Sequence, residues 1–489
     1  MERSAGILLP LFSLPNDYGI GSLGKEARAF VDFLRKAGQR WWQILPVGPV
    51  GPGNSPYASS STFAGNPLFI DLEALEESGL LTKEELKGAR VKGGKIDYAA
   101  LKKSREDLLR KAFARLSGEE AEAVRRFSAQ HPWLKEYALY AAARSHFEEL
   151  PWYEWPDKGL RAHEPQAVEQ WQVTLAEDIA FHSAVQYWFY SQWAALKDYA
   201  NAQGLGIIGD LPIYVSLDSA DVWSERAQFL LDEEGRPTKV AGVPPDYFSQ
   251  DGQLWGNPLY DWAAQKKDGF GWWIRRVEGA SALFDTIRID HFRAFESYWA
   301  VPAQAKTARE GAWEKGPGME LLGVLTGWFP NTRFIAEDLG FLTDEVHILR
   351  EQAGLPGMKV LEFAFSDPGN SYLPHHYGPK CICYTGTHDN NTAVGWYRGA
   401  GPEEKAYAEL YLGVKGEQNI ANALIRAGQM SVAELFVAQL QDYLGLDQEA
   451  RINVPGVAQG NWVWRLPQGL LSEALAQEIH DLTHAYARC

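Results

Sequence analysis

Short apolar runs rich in β-branched residues recur along the chain, and longer stretches with helical spacing of apolar positions separate them. This alternation is typical of the β-strand and α-helix units that build parallel sheets. One helical stretch, GKEARAFVDFLRKAG at 24–38, ends on a glycine, as helices often do. The pattern predicts eight strands: GILLPLF (6–12), WWQILPV (41–47), GIIGDLPIYV (206–215), TIRIDHF (286–292), RFIAED (333–338), MKVLEFAF (358–365), CICYTGT (381–387) and LFVAQL (435–440).

Eight such strands with helices between them predict an α/β fold of the (β/α)8 TIM-barrel type, with residues 1–489 forming a single catalytic barrel. The spacing of the strands is uneven, which indicates insertions. The charged, helix-patterned residues 68–160 are predicted to form an inserted, largely helical subdomain. Residues 216–270 and 300–317 are rich in Pro, Gly, Trp and Asp, and we interpret them as active-site loop insertions.

Composition narrows the class of protein. With 46% hydrophobic and 22% charged residues the chain has the usage of an ordinary globular protein with a large core. A formal net charge of -16 disfavours nucleic acid and anionic membrane surfaces as partners, and no apolar run reaches membrane-spanning length. There is no secretory signal pattern, and three cysteines do not make a disulfide framework. We therefore expect a cytoplasmic protein.

Four predicted strands end in acids: Asp210, Asp290, Glu337 and Asp389. In a barrel the carboxyl ends of the strands share one face, where active sites lie. Side chains alternate along a strand, so Arg288 points the same way as Asp290, toward the barrel mouth if the intervening isoleucines pack on helices. The pattern predicts a cleft lined with carboxylates.

A single acid after a strand often does no more than cap the next helix, and Asp338 or Asp344 fits that role. Several acids on one rim repel each other and persist mainly where function requires them. Glycosidic bond chemistry needs such a pair, one ionised and one protonated. We expect Arg288 to lower the pKa of Asp290, and neighbouring acids to raise the pKa of Glu337.

Other chemistries lack their signatures. His291, His388 and the nearby acids are possible metal ligands, but there is no HExxH motif and no histidine pair with ordinary spacing, so no metal is predicted. No G-x-S-x-G elbow is present, and PVGPVGPGNSP lacks the ending of a phosphate loop. We predict no cofactor.

Six motifs occur in order between about Gly6 and Leu466 and together resemble the amylomaltase family, the 4-α-glucanotransferases also called disproportionating enzymes. These are GNSPYASSSTFAGNPLFIDL, GIIGDLPIYV, FSQDGQLWGNPLYDW, IRIDHFRAF, FIAEDLG and GTHDNNT. The resemblance implies a barrel with inserted subdomains and no separate C-terminal β-domain.

The resemblance also implies roles for individual residues. Asp290 matches the nucleophile of the family, Glu337 its general acid/base, and Asp389 the third carboxylate, which holds sugar hydroxyls. Arg288 matches the arginine that orients the nucleophile, and His388 a residue that binds the same glucose. Further substrate contacts fall at Tyr57, Trp255, Asp210, Gln253 and Ser55. For Tyr57 the alternative is a turn anchor, and for Trp255 a lid packed on its own loop.

The implied reaction transfers a segment of an α-1,4-glucan to the 4-hydroxyl of glucose or another glucan by double displacement with retention of configuration. It requires about 5 to 5.5 Å between the two catalytic carboxyl groups. Two alternatives remain: a retaining α-1,4-glucan hydrolase, and a glucan-binding protein without catalysis, which the presence of both acids and Arg288 disfavours. We expect maltodextrin or another α-1,4-glucan as the partner and a monomeric chain.

Overall fold

Strands of the predicted barrel appear at all eight expected places in the computed structural model, which describes residues 3–91, 93–245 and 250–489. Three of the four further strands lie within the predicted loop insertions, and the fourth, β7, begins before the second insertion. The strands are β1 (Ser4–Leu8), β2 (Trp41–Gln43), β3 (Gly206–Leu211), β4 (Lys239–Val243), β5 (Gln253–Pro258), β6 (Thr286–Ile289), β7 (Ser297–Pro302), β8 (Ala312–Lys315), β9 (Arg333–Ala336), β10 (Gly357–Val360), β11 (Cys381–Tyr384) and β12 (Leu435–Gln439).

The eight-stranded sheet has the order β10-β11-β12-β1-β2-β3-β6-β9, and every pairing in it is parallel. It closes between β9 and β10, where the N–H of Ala336 donates to the carbonyl of Pro356 at 3.0 Å. Alternate side chains fill the interior with no exposed surface: Leu8, Ile208, Ile335, Ile382 and Leu435. The predicted (β/α)8 barrel is confirmed, although most of the predicted strands extend several residues too far at their carboxyl ends.

Helices connect the strands and cover the outside of the barrel. The predicted helix at 24–38 is confirmed as α1, which buries Phe30, Val31 and Leu34. In the described residues no helix is both long enough and apolar enough to cross a bilayer. The helices are α1 (Lys25–Lys36), α2 (Leu72–Glu77), α3 (Lys83–Ala89), α4 (Tyr98–Ala114), α5 (Gly118–Gln130), α6 (Pro132–His146), α7 (Lys158–Arg161), α8 (Pro165–Thr174), α9 (Ala176–Ala202), α10 (Ala220–Ser224), α11 (Trp262–Lys267), α12 (Gly271–Leu283), α13 (Gly318–Trp328), α14 (Asp344–Gln352), α15 (Ala393–Gly399), α16 (Pro402–Leu412), α17 (Ile420–Met430), α18 (Leu440–Tyr443) and α19 (Glu473–Ala485).

The segment between β2 and β3 is helical from α2 to α9, so helical structure continues beyond the predicted subdomain 68–160. The long helix α9 returns the chain to the barrel: its Trp193 is buried and donates to the carbonyl of Leu283 at the end of α12. The helix α9 therefore belongs to the inserted helical segment and also packs against the barrel wall.

The two predicted loop insertions contribute to a second sheet, which is antiparallel, with the order β5-β4-β7-β8. Gly242 lies at its centre, paired with Leu254 and Trp299, and a Cβ there would come within 2.7 Å of a backbone oxygen. Reading these segments only as loops was wrong, because their Gly and Pro content hid short strands. After β12 the described residues form helices and connecting segments and no further strand.

Candidate active site

The register of β3 and β6 places two polar residues of the site, Asp210 and Arg288, side by side. Asp210 is paired with Arg288 across these neighbouring strands, so both side chains point into the barrel mouth. The guanidinium donates two hydrogen bonds to the Asp210 carboxylate at 2.6 and 2.5 Å, and both side chains are buried. Arg288 also donates to Asp290, at the longer distance of 3.4 Å. Asp210 is therefore the main partner of the arginine.

Asp290 follows directly after β6, and the chain turns sharply there. His291 has a φ of 50°, a left-handed conformation that is uncommon outside glycine. The turn aims the N–H of His291 at the Glu337 carboxylate, to which it donates at 2.7 Å. Glu337, which comes directly after β9, donates its own N–H to the carbonyl of Ile289 at 2.9 Å. The backbone thus ties the two predicted catalytic acids to each other.

Burial and mutual repulsion govern the titration of this pair. Burial raises the pKa of Asp290 to about 7, although Arg288 acts in the opposite direction. Burial and the charge of Asp290 raise the pKa of Glu337 well above its ordinary value. Two carboxyl groups in one cleft cannot both ionise easily, so the pair retains a proton near neutral pH. Arg288 contacts Asp290 at 3.4 Å and favours its ionised form, so we assign the proton to Glu337.

Arg288 lowers the pKa of Asp290, as expected, but burial raises it more, so the net pKa lies above the ordinary value of aspartate. The arginine divides its charge between two carboxylates, and Asp210 takes the two short hydrogen bonds. Loss of water around Asp290 then outweighs the attraction that remains. The expectation that neighbouring acids raise the pKa of Glu337 agrees with the effect of Asp290 on it.

Asp389 and His388 lie in the turn after β11, on another side of the cleft. Asp389 is half-exposed and accepts a hydrogen bond of 2.6 Å from the Asn453 side chain. His388 is buried, and its Nε2 lies 3.4 Å from the Asp389 carboxylate. Burial lowers the pKa of His388, so the ring is neutral near pH 7. Its Nδ1 has no hydrogen-bond partner among the described residues.

Tyr57 closes one wall of the cleft. Its hydroxyl donates to Asp210 at 2.5 Å and its ring stacks on His388 with centroids 5.1 Å apart. The hydroxyl of Ser55 caps the short turn before it by accepting the N–H of Tyr57 at 3.2 Å. Tyr57 is thus anchored through its hydroxyl, but to a carboxylate and not to backbone. Ser55 holds the turn.

The direct contact with sugar predicted for Asp210 does not fit its surroundings. Its side chain has no exposed surface; Oδ1 accepts a hydrogen bond from Arg288, and Oδ2 accepts from both Arg288 and Tyr57. A sugar hydroxyl would have to displace one of these short, charge-assisted bonds. Asp210 is better described as the residue that fixes the arginine and the tyrosine.

Trp255 and Gln253 lie on β5, over the opposite side of the mouth. The Trp255 ring is 40% exposed and packs edge-on against His291, 4.8 Å between centroids. Its indole N–H donates to the Gln253 side chain at 3.2 Å. An aromatic ring beside His291 is therefore partly open to a ligand.

Several residues at the site gave no signal in the sequence. Asn453 and Arg451 belong to the segment after β12, more than 60 residues beyond Asp389, yet Arg451 donates to the Asp389 carbonyl at 2.6 Å. Trp462 lies 5.9 Å from both the Tyr57 and the His388 rings. The abundance of tryptophan was the only indication of such a residue.

Asp338, the acid next to Glu337, has a structural role: its carboxylate accepts a hydrogen bond from Arg350 at 2.6 Å.

Removing the positive charge of Arg288, which contacts both Asp210 and Asp290, is expected to destabilise the fold. In Arg288→Met the Asp210 carboxylate would remain buried without its partner, which costs about 3 to 5 kcal/mol. Urea unfolding measures this loss. The double variant Arg288→Met/Asp210→Asn is expected to recover most of it, since the buried charge is gone. A double variant no more stable than Arg288→Met alone would contradict the pairing.

The possible metal ligands are not brought together. His291 faces Trp255, and His388 faces Tyr57. In the part of the chain that the structure describes, no three His, Cys, Asp or Glu side chains are arranged to hold a metal ion.

Comparison with known proteins agrees with this geometry. A family model described as 4-alpha-glucanotransferase matches residues 9–471. The 4-alpha-glucanotransferase of Thermus thermophilus is 48% identical over 501 residues, which cover 100% of this chain and 99% of that protein. The chloroplastic/amyloplastic enzyme of Solanum tuberosum is 42% identical, over 100% of this chain and 87% of its own.

Solved structures agree as well. The amylomaltase from Streptococcus agalactiae in complex with acarbose superposes with a TM-score of 0.97 at 38% identity, covering 100% of both chains. The Corynebacterium glutamicum amylomaltase, at 19% identity and a TM-score of 0.80 over 99% of this chain and 75% of its own, shares the fold. With nearly the whole chain matched, the protein belongs to the 4-alpha-glucanotransferase family, the amylomaltases.

Proposed function

We propose that this chain transfers a segment of an α-1,4-glucan to the 4-hydroxyl of glucose or of another glucan, with Asp290 as nucleophile and Glu337 as general acid/base. The observation that carries the proposal is the hydrogen bond from the N–H of His291, the residue after Asp290, to the Glu337 carboxylate, which ties the two acids together at the barrel mouth. The solved amylomaltase from Streptococcus agalactiae is in complex with acarbose, which supports a saccharide ligand for this chain.

In the first displacement an Asp290 oxygen attacks the anomeric carbon of the donor glucan. The bond from that carbon to the bridging oxygen breaks, and Glu337 gives its proton to this oxygen as the shortened chain leaves. The product is a covalent glycosyl ester on Asp290. Arg288 favours the ionised form of this carboxylate and burial removes water from it, so the anion that attacks is weakly solvated.

In the second displacement Glu337, now ionised, takes the proton from the 4-hydroxyl of an acceptor. The acceptor oxygen attacks the anomeric carbon, the ester bond breaks, and Asp290 is released as a carboxylate. Each displacement inverts the configuration at the anomeric carbon, so the two together retain it. Glu337 ends protonated, so the enzyme is ready for the next cycle.

Transfer requires that the acceptor sugar and not water reaches the ester. Asp389, half-exposed and fixed by Asn453, is positioned to accept hydroxyl groups of the bound glucose. We assign the face of Trp255 and the stacked rings of Tyr57 and His388 as apolar walls for sugar rings. Gln253, hydrogen-bonded to Trp255, supports that wall.

One experiment with maltotriose distinguishes this proposal from its alternatives. A transferase converts maltotriose into glucose and a ladder of longer and shorter chains while the number of reducing ends stays constant. A retaining hydrolase would raise the number of reducing ends continuously. A glucan-binding protein would leave maltotriose unchanged, and either result would contradict the proposal.

The pKa shifts predict a bell-shaped dependence of kcat/KM on pH. Activity requires ionised Asp290 and protonated Glu337, so it should fall as pH drops below about 7, where Asp290 takes up a proton. It should fall again on the alkaline side as Glu337 loses its proton. Initial transfer rates across pH test this. An acid limb lying near the ordinary pKa of aspartate would contradict the effect of burial on Asp290.

We also propose that the chain acts as a monomer in the cytoplasm. The cysteines support a reducing compartment, since Cys381, Cys383 and Cys489 are all free thiols. Light scattering on the purified protein tests the oligomeric state.

A further inference from the structure

Arg293 is a buried arginine that the proposed mechanism does not use. It lies three residues after Asp290 and is 5% exposed. Its guanidinium donates to the carbonyl of Phe341, and to the carbonyl and hydroxyl of Ser297 at 3.4 and 3.1 Å. The Ser297 hydroxyl donates in turn to Glu296 at 2.6 Å. A buried charge that hydrogen-bonds to neutral groups is costly, which indicates that the geometry it enforces matters.

The chain after β6 is hydrogen-bonded to the chain that carries Glu337. The N–H of Glu337 donates to the carbonyl of Ile289 at 2.9 Å. In the other direction, the N–H of His291 donates to the Glu337 carboxylate at 2.7 Å, and the N–H of Phe292 to its carbonyl at 3.0 Å. These backbone bonds hold Glu337 itself. Arg293 adds a side-chain bond to a carbonyl four residues further along the same loop.

The antiparallel sheet holds Arg293 from another side. Ser297 is the first residue of β7, and the guanidinium carbon lies over the ring of Trp313 on β8, 3.7 Å from the ring centroid. The Trp313 ring packs edge-on against Trp299, the residue paired with it across β7 and β8, with centroids 5.2 Å apart. Arg293 is thus a junction between this sheet and the two loops that carry the proposed catalytic acids.

The turn that donates to Glu337 needs such an anchor. His291 has a left-handed backbone, which is strained for a residue with a side chain and persists where surrounding contacts enforce it. Arg293 lies two residues later, in the short helical turn Phe292–Phe295. It fastens this turn to the loop beyond Glu337, where the side chain of Phe341 is 68% exposed and adds little packing. Without the arginine, the N–H of His291 would be held less firmly at the carboxylate.

We propose that Arg293 is a positioning residue for the general acid/base, acting through the turn at His291. This role rests on the proposed function of Glu337. Because Arg293 is buried, its effect passes through Glu337 and not through contact with sugar. In the first displacement the proton of Glu337 must reach the bridging oxygen as the glycosidic bond breaks. A misplaced acid therefore slows donors whose leaving group needs a proton, and spares a donor whose leaving group does not.

Arg293→Met in the full chain tests this with two donors. The kcat for maltotriose should fall by about tenfold or more, because the acid is no longer held in line with the leaving oxygen. Fluoride release from α-maltosyl fluoride in the first turnover should stay within about threefold of wild type, since fluoride leaves without a proton. Rapid-quench kinetics measures both. Equal losses with the two donors would overturn the proposal, because the arginine would then serve the fold alone, and so would no loss with either.

Arg293→Lys separates geometry from charge. Lysine keeps the positive charge, but its donors sit on one nitrogen and cannot span the Phe341 carbonyl and Ser297 as the guanidinium fork does. The ratio of the maltotriose rate to the fluoride rate should therefore fall below that of wild type. A wild-type ratio would overturn the proposal, since a point charge would suffice. This variant decides the question if Arg293→Met does not fold.

The matched control is Arg333→Met. Arg333 begins β9, the strand that leads to Glu337, and its guanidinium also lies over a tryptophan ring, 5.9 Å from the centroid of Trp41. It lies at the amino end of the strand, opposite the barrel mouth, so both rates should stay within about twofold of wild type. A selective loss of the maltotriose rate in Arg333→Met would overturn the specific role of Arg293.

Failure of this role and failure of the proposed function give different results. If Glu337→Gln loses rate equally with both donors, Glu337 is not the acid and the proposed function fails. If Glu337→Gln spares the fluoride donor and Arg293→Met does not, the function stands and only the positioning role of Arg293 is overturned.

Discussion

Replacing Asp290 with asparagine is expected to lower kcat for disproportionation of maltotriose by about 10⁴-fold or more, because no other group can form the glycosyl ester. Binding of acarbose should remain within a few fold of wild type, since the substitution preserves shape and removes no stacking surface. Calorimetry measures the binding, and intact-protein mass spectrometry with a fluorinated donor detects the ester. Wild type should gain the mass of the sugar and the variant should not.

The matched control is Asp285→Asn at the other end of the same strand. Asp285 accepts the N–H of Ile207 at 2.8 Å at the base of the barrel, far from the mouth. The same acid-to-amide change there should leave kcat near the wild-type value. Near-normal turnover in Asp290→Asn, or an equal loss in both variants, would refute the assignment of the nucleophile.

Glu337→Gln is expected to reduce the rate with maltotriose by about 10² to 10⁴-fold, the usual contribution of a general acid. With a glycosyl fluoride as donor the first displacement should be far less affected, because fluoride leaves without needing a proton. The glycosyl ester should then accumulate, since the second displacement lacks its base. Equal losses with both donors would show that Glu337 is not the acid.

The same variant should be more stable than wild type at mildly alkaline pH. Burial and Asp290 raise the pKa of Glu337 in the folded protein, so its contribution to stability is complete below the ordinary glutamate pKa and is lost as pH rises toward the folded value. Glutamine has no charge to bury and avoids that loss. Urea unfolding at acidic and alkaline pH measures the difference in free energy of unfolding between the variant and wild type. This difference should increase with pH, and a constant difference would contradict the raised pKa of Glu337.

The barrel strands could be predicted because parallel strands covered on both faces are continuous apolar runs. The carboxyl ends of the strands could not be predicted, because residues such as Asp290 and His291 continue the alternating pattern after strand pairing has ended at Ile289. The antiparallel sheet was missed for the opposite reason. Its strands contain glycines and exposed positions, as in β5, where Trp255 faces solvent, so no buried period marks them.

The candidate carboxylates could be predicted from their places after strands, but their partners could not. Arg288 and Asp290 are two residues apart, which suggested an ion pair; that pair forms at 3.4 Å, but strand register makes Asp210 the closer partner of the arginine. The role of Asn453 depends on a fold-back of the chain that no local pattern indicates. The net direction of the Asp290 pKa depends on how much water the cleft excludes, and a sequence does not carry that information.

The antiparallel sheet has a consequence for engineering. Its strands come from two segments of chain that flank β6, and β4 and β7 are hydrogen-bonded to each other at its centre. Grafting one segment from a relative would leave half of a ladder without its counterpart. Chimaeras meant to alter substrate preference should therefore exchange residues 239–258 and 297–315 as one unit, and recombination between them should yield poorly folded products.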